Sequence, residues 1–222
     1  FGAFAMVPQF DVDAAAEEAI YALDALHLDG VLLNPSVDNR YLGAGEFEPL
    51  MSELNQRDAV VLIHPTSPFY FSELSLGYQS SVMEYVFDTT RAIANLITTG
   101  SIERNPNIRF ITAHAGGAAP YIASRLAEQA VRHDPKIREL APQGVLHYMK
   151  TLYYGTGQAT SPYALAALLN LVDSRQVVFG TDLPISPPSL IAQSDGVLRS
   201  YRDLSQEDIR RIERDNALRL FP

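Results

Sequence analysis

The sequence predicts an α/β fold, a TIM-type (β/α)8 barrel of which about six of the eight strand–helix units are present. Two observations lead to this prediction. Short β-branched or aromatic runs alternate with helical stretches along the chain, which is typical of parallel strands joined by helical crossovers. Several of the strand runs are apolar throughout, as is usual for strands that are buried on both faces.

The predicted elements follow one another in a regular order. Strands are predicted at residues 1–7, 30–33, 59–63, 108–113, 152–154 and 176–179. Helices are predicted from a cap at Asp11 or Asp13 to about residue 26, and then at 46–56, 84–99, 120–132, 162–171 and 189–201. The last helix starts with a capping box of Ser205 and Asp208 and reaches about residue 220.

Six units are also compatible with a doubly wound open sheet. No G-x-G-x-x-G fingerprint follows the first strand, which weakens a dinucleotide-binding version of that fold. We therefore prefer one barrel domain over residues 1–222 that is incomplete at its amino end, because a closed barrel typically needs about 250 residues. The long connection at residues 66–83 carries several aromatic side chains and is suited to a lid or a substrate wall.

Composition narrows the range of functions. The formal net charge is −9 and the 17 basic residues form no cluster, which argues against a nucleic-acid surface or a polybasic membrane patch. No apolar run approaches the roughly 18 residues that span a bilayer. The chain has no cysteine, so disulfides and thiolate metal sites are excluded, and a cytoplasmic location is compatible with this composition.

Three residues directly follow apolar strand runs and form the predicted active site. His64 follows AVVLI, His114 follows IRFITA, and Asp182 follows QVVFGT. The carboxyl ends of parallel strands meet at one face, where active sites of such folds lie. Imidazole nitrogen and carboxylate oxygen are common ligands of a catalytic Zn²⁺. A lone buried histidine is often only a hydrogen-bonded core residue, so the shared position of the three carries the prediction.

Other chemistries fit less well. A Schiff-base barrel needs a lysine in its pocket, but Lys136 lies in a polar stretch and Lys150 precedes its strand. The chain contains no G-x-S-x-G, P-loop or H-E-x-x-H motif. Gly155 and Gly157 are interpreted as a tight turn rather than a phosphate cradle. The remaining histidines are interpreted as structural or solvated.

Six segments resemble the amidohydrolase-related decarboxylases, the group that includes aminocarboxymuconate-semialdehyde, γ-resorcylate and 6-methylsalicylate decarboxylases. The segments are VVLIHPTSP around His64, FITAHAGGAAPYIASR around His114, VVFGTDLP around Asp182, RYLG at 40–43, FDTTRAIANLI at 87–97 and NALRLF at 216–221. The resemblance implies a metal-dependent, non-oxidative decarboxylase, a carbon–carbon lyase, that acts on a small aromatic or unsaturated carboxylic acid. It also implies Zn²⁺ or Mn²⁺ as cofactor and a homodimer or dimer of dimers.

The same resemblance assigns roles to individual residues. His64 and Asp182 correspond to metal ligands, and His114 to the catalytic histidine beside the metal. Asp182 is also proposed as a proton donor in some members. Arg125 corresponds to an arginine that reaches the substrate carboxylate, in some members across a dimer interface, and Phe69 is expected to contact substrate.

One departure from the family pattern bears on the metal site. The first strand of the family supplies two further ligands as H-x-H or E-x-H, and neither pattern occurs in these 222 residues. We expect about 80 further residues upstream, which correspond to two units of such a barrel. We expect the H-x-H or E-x-H pattern to lie in those residues. Two alternatives stay open: a metal-dependent hydrolase or hydratase of the same superfamily, acting on a lactone or amide, and an inactive binding remnant.

Overall fold

The computed structural model describes residues 2–74 and 76–221; Phe1, Ser75 and Pro222, and with them both ends of the predicted domain, lie outside the described residues. The strands are β1 (Phe4–Met6), β2 (Gly30–Leu33), β3 (Ser36–Val37), β4 (Arg40–Tyr41), β5 (Val60–Ile63), β6 (Arg109–Thr112), β7 (Tyr153–Gly155) and β8 (Val177–Val178).

The helices fill the connections between the strands. They are α1 (Val12–Ile20), α2 (Glu48–Gln56), α3 (Phe71–Leu74), α4 (Ser80–Thr98), α5 (Ser101–Arg104), α6 (Ala119–Arg125), α7 (Val131–His133), α8 (Ile137–Leu140), α9 (Val145–Thr151), α10 (Pro162–Leu171), α11 (Pro188–Ser200), α12 (Gln206–Arg210) and α13 (Asn216–Leu220). Single π-helical turns extend α1 at Tyr21–Ala25, join α6 to α7 at Leu126–Ala130, and join α12 to α13 at Arg211–Asp215. Within the described ranges, no helix is both long and apolar enough to cross a membrane.

The main sheet has the strand order of a barrel. Its order is β1-β2-β5-β6-β7-β8, and every pair of neighbours is parallel. The short antiparallel hairpin of β3 and β4 stands apart from it. Each strand of the main sheet therefore lies beside the one that precedes it in the chain, whereas a doubly wound sheet reverses its strand order at a switch point. The predicted barrel-type α/β fold is confirmed, and the doubly wound alternative is wrong.

The two faces of the sheet have different surroundings, as barrel strands require. Val31, Val61 and Phe110 lie side by side in the register and are buried in the core that the sheet shares with the helices. Leu32 and Leu62 lie side by side on the opposite face, which the helices leave open. The helices thus cover one face, and the other face forms the inside of the barrel.

The carboxyl-terminal residues close the amino end of this inside face. Leu220 is buried with Val60 and Val178, and its carbonyl oxygen accepts a hydrogen bond of 3.0 Å from the Arg109 guanidinium. The Phe221 ring meets the Phe4 ring edge-on, with 5.8 Å between the ring centroids. Leu220 and Phe221 therefore cover the amino end of this face, and the opposite end lies at the carboxyl ends of the strands.

Several elements differ from the predicted ones in their bounds. β8 ends at Val178 because the Phe179 amide donates to the Ile212 carbonyl, at 2.9 Å, instead of continuing the ladder. The predicted long connection at 66–83 is shorter, because α3 forms inside it and α4 begins at Ser80. Alternation of apolar and polar residues over about 4–8 positions marks a strand in sequence. These strands are short and largely apolar, so the pattern does not locate their ends.

The predicted capping box at the start of α12 is confirmed. The Ser205 hydroxyl accepts from the Asp208 amide at 3.2 Å, and the Asp208 carboxylate accepts from the Ser205 amide at 3.0 Å. The Ser174 hydroxyl also donates to Asp208 at 2.7 Å, which ties α12 to the turn before β8. The hydrogen bonds from Ser205 and Ser174 hold the pKa of Asp208 down at about 2.

We expect Asp208→Ala to lower the free energy of unfolding by about 1 kcal/mol at neutral pH, the usual effect of losing a helix cap. Because the folded pKa lies below the unfolded value of 3.8, the stabilisation is present above that value and is lost as the pH falls towards 2. Denaturant titrations of both proteins at several pH values measure this difference. Asp203→Ala, an exposed neighbour, is the control, and a pH-independent loss in Asp208→Ala would contradict the expectation.

Candidate active site

A cavity of about 510 Å³ opens at the carboxyl ends of the strands. Its lower walls are the apolar side chains of the inside face, among them Leu32, Leu62 and Ile111. His64, His114 and Asp182 lie in its lining together with the glycine-rich ends of β7 and β8. An apolar interior with a few convergent polar groups at one end is typical of a site for a small organic molecule.

The three predicted residues converge in the structure. A nitrogen of each imidazole and a carboxylate oxygen of Asp182 all lie within 4.8 Å of one another, and all three side chains are partly buried. His64 Nε2 lies 3.3 Å from Asp182 Oδ1. The His64 and His114 rings meet at 62° with 5.4 Å between their centroids. Two imidazoles and one carboxylate so arranged have the donor chemistry of a divalent metal site.

Backbone carbonyl groups set the orientation of both imidazole rings. His64 Nδ1 lies 3.1 Å from the Pro65 carbonyl oxygen, and His114 Nδ1 lies 2.8 Å from the Gly157 carbonyl oxygen. A carbonyl oxygen can only accept, so each Nδ1 carries a hydrogen and each neutral ring has its lone pair on Nε2. The lone pair of His64 Nε2 then faces the carboxylate oxygen Asp182 Oδ1, 3.3 Å away, and a proton or a cation between the two atoms would satisfy both.

A turn of unusual handedness places His114. Four consecutive residues, His114 to Gly117, have positive φ angles of 52°, 54°, 71° and 67°. Such angles are uncommon outside glycine and cluster at functional sites. Neither glycine has room for a side chain, because a Cβ would lie 2.7 Å from the Tyr154 ring at Gly116 and 2.1 Å from the Val86 carbonyl oxygen at Gly117. The A-H-x-G-G pattern therefore encodes the shape of this turn.

Gln158 joins the site and was missed in the sequence. Its Nε2 donates to Asp182 Oδ2 at 2.5 Å, on the oxygen that does not face His64. The residue has a φ of 52° and follows the strand end Gly155-Thr156-Gly157. The sequence does contain an indication of this role, because Gln158 is a polar residue directly after a glycine-containing strand end. The loops at this end of a barrel commonly carry functional residues.

Arg125 and Phe69 lie elsewhere. Arg125 is exposed at the end of α6, and Phe69 is exposed at 50% and packs edge-on against Tyr70. Neither belongs to the residues that line the cavity in the described part of the chain. The structure thus does not bring these two side chains to the trio, and their contact with substrate stays a prediction.

The comparisons with known proteins fit this geometry. A family model described as Amidohydrolase matches residues 1–222. The chain belongs to the amidohydrolase family. It is 33% identical over 234 residues to the decarboxylase yanB of Aspergillus niger, and the match covers 100% of this chain and 63% of that protein. It is also 33% identical over 225 residues to 6-methylsalicylic acid decarboxylase of Penicillium expansum, with 100% and 69% of the two chains covered.

A solved structure of this amidohydrolase fold holds a metal. The dihydroxybenzoic acid decarboxylase from Polaromonas, with bound manganese and the inhibitor 2-nitroresorcinol, has a TM-score of 0.85 and 20% sequence identity. The match covers 100% of this chain and 69% of that one. At this identity the likeness shows a shared fold, which agrees with the barrel order of the strands.

Two of the amidohydrolase segments outside the site form one hydrogen-bonded network. Asp88 of FDTTR is 1% exposed and accepts from the hydroxyls of Tyr41, in RYLG, and Ser36, both at 2.9 Å. The Tyr70 hydroxyl approaches the same carboxylate at 3.5 Å. Burial raises the pKa of Asp88, and the hydrogen bonds from Ser36 and Tyr41 oppose this shift. The network ties the β3–β4 hairpin and the connection after β5 to α4.

The remaining segment and helix α4 support β8 and the turn after β6, two of the elements that precede site residues. Asn216 of NALRLF is 1% exposed and donates to the carbonyl oxygens of Ser174 and Val177, at 2.8 and 2.6 Å, which holds the start of β8. Thr90 of α4 accepts from the Ala118 amide at 2.8 Å, just after the turn that carries His114. These family segments are therefore framework rather than reactive groups.

We expect Gly117→Ala to lower the free energy of unfolding by about 2 kcal/mol or more. The φ of 67° is costly for any side chain, and the new Cβ would meet the Val86 carbonyl oxygen. Gly196→Ala is the matched control, because Gly196 lies in α11 with open space around it and alanine there should stabilise by about 0.5–1 kcal/mol. Denaturant titration measures both changes, and effects of the same sign would disagree with this account.

Proposed function

We propose that this protein is a metal-dependent, non-oxidative decarboxylase of a small aromatic or unsaturated carboxylic acid. The observation that carries the proposal is the convergence of His64, His114 and Asp182 at one end of a cavity with apolar walls. The relatives support it, since the two fungal proteins are named as decarboxylases. Because the chain spans 63% of the length of the first of them, the activity of the whole protein is inferred.

The residues of the site fit a divalent ion. His64 Nε2 and Asp182 Oδ1 are two acceptors held 3.3 Å apart, and a cation between them satisfies both. We propose His64 and Asp182 as ligands, with Zn²⁺ as the ion and Mn²⁺ as the alternative that the Polaromonas structure supports. A bound divalent ion would supply positive charge that holds and polarises the substrate oxygens. We further propose that an H-x-H or E-x-H pair outside these residues completes the ligand set.

The chain's own groups can then perform the reaction. The apolar inside face buries the carbon skeleton, and the trio lies at the carboxylate end. His114 donates through Nδ1 to the Gly157 carbonyl, so in its doubly protonated form the hydrogen on Nε2 is the one that it can transfer; Asp182 is the other candidate donor. The proton adds to the carbon that bears the carboxylate. The bond from this carbon to the carboxyl carbon breaks, its electron pair restores conjugation, and carbon dioxide leaves. The donor regains a proton from solvent.

We expect His114→Ala and Asp182→Ala each to lower kcat by about 10²–10⁴-fold, the usual contribution of a positioned acid or base. Carbon dioxide release by the natural gene product, assayed on hydroxybenzoates with lactones and muconates alongside, measures this. His133→Ala, an exposed imidazole at the end of α7, is the control. Near-normal turnover in both variants would sink the assigned roles, and lactone hydrolysis without carbon dioxide release would favour a hydrolase instead.

The surface position of Arg125 supports a proposal about assembly. An exposed guanidinium outside the cavity of its own subunit can reach a substrate carboxylate in the site of a neighbour. We propose a homodimer or dimer of dimers in which Arg125 does so, with Phe69 as a further substrate contact. A cytoplasmic location belongs to the same proposal and is compatible with the lack of cysteine.

We expect Arg125→Ala to lower kcat/KM by about 10- to 100-fold, the loss of one charged hydrogen bond. Mixing Arg125→Ala with Asp182→Ala should restore about a quarter of the wild-type activity after subunit exchange, because half of the dimers then contain one intact composite site. Arg132→Ala, an exposed arginine in α7, is the control. Absence of recovery despite measured subunit exchange would rule out a shared site.

A further inference from the structure

The segment directly after β7 holds two of the three site residues at once. Thr156 is 2% exposed and forms two hydrogen bonds with β8 and the residues after it. Its backbone amide donates to the Val178 carbonyl, and its hydroxyl accepts from the Gly180 backbone amide, both at 3.0 Å. Beside it, the Gly157 backbone carbonyl accepts a hydrogen bond from the His114 ring, and the side-chain amide of Gln158 donates one to the Asp182 carboxylate. The two residues that follow the buried Thr156 thus contact two residues of the site, His114 and Asp182.

We propose that Gln158 is a positioning residue that determines which oxygen of Asp182 is presented to the metal. The inference rests on the proposed function, because it assigns Asp182 as a ligand. Gln158 occupies Oδ2 and leaves Oδ1 for the cation that also binds His64 Nε2. Partners of this kind around metal ligands typically change metal affinity by 10- to 100-fold.

The geometry explains why such a partner is needed. The terminal torsion of an aspartate is broad and roughly two-fold, so an unrestrained carboxylate can rotate and offer either oxygen or both. Asp182 also has a φ of 59°, and its side chain points into an open cavity rather than a packed core. A donor on Oδ2 removes that freedom.

The chemistry of glutamine suits this role. Its amide nitrogen can only donate, so it matches an ionised carboxylate. It carries no charge and therefore leaves the negative charge of Asp182 for the cation, whereas lysine or arginine in its place would compete with the ion. Gln158 is exposed, so its hydrogen bond adds little to the stability of the fold. Its loss should therefore change metal binding far more than unfolding.

The test is a double-mutant cycle read out by metal binding. Gln158→Met keeps the length and the unbranched shape of the side chain but removes the donor. Mn²⁺ is titrated into the metal-free wild type, Gln158→Met, Asp182→Ala and the double variant, and free Mn²⁺ is followed by electron paramagnetic resonance. Gln56→Met is the control, an exposed glutamine of α2 at the opposite end of the sheet. Denaturant titration verifies that each variant is folded.

We expect Gln158→Met to bind Mn²⁺ about 10- to 100-fold more weakly than the wild type, and Gln56→Met to bind it normally. In the Asp182→Ala background, Gln158→Met should have no further effect, because the residue acts through Asp182. Unchanged affinity in Gln158→Met, additive losses in the double variant, or a wild type that binds no Mn²⁺ would each overturn the inference. Weaker Mn²⁺ binding in a protein that decarboxylates nothing would sustain it and refute the proposed function instead.

Discussion

Parallel pairing of neighbouring strands is the constraint on which the site depends. Ile63 lies opposite Thr112, and the ladder continues past the strands where the His64 amide donates to the Leu33 carbonyl at 2.9 Å. A shift of one residue along a strand would move a side chain by about 3.3 Å and turn it to the other face. The donor atoms of the trio lie within 4.8 Å of one another, so a single register error would abolish the site.

The meeting of the trio at one edge of the sheet could be predicted, because parallel strands bring their carboxyl ends to the same edge. His64, His114 and Asp182 each come directly after an apolar run, and parallel strands bring such positions to one edge whatever the details of the loops. The same reasoning predicted the barrel, since the alternation of strands and helices is independent of exact bounds. It also identified Ser205 and Asp208, because a capping box is local in sequence.

The features that sequence reasoning missed depend on turn shape and on contacts between distant segments. Gln158 reaches Asp182 because its backbone has a positive φ, and no periodic pattern signals such a conformation in a residue other than glycine. The bond from Tyr41 to Asp88 joins segments 47 residues apart, so the two motifs could be recognised singly but not as partners. The positions of Arg125 and Phe69 outside the cavity likewise depend on how their elements pack.

The anchored segment at 156–158 has a consequence for anyone who moves this site into another scaffold. Copying His64, His114 and Asp182 onto the strand ends of a different barrel would transfer the side chains without the contacts that orient them. The imidazole of His114 takes its orientation from the Gly157 carbonyl in the loop after β7, and Asp182 takes its orientation from the side chain of Gln158. The smallest portable unit therefore includes the loop after β7, and a graft that omits it should yield a loose ion site however accurately the trio is placed.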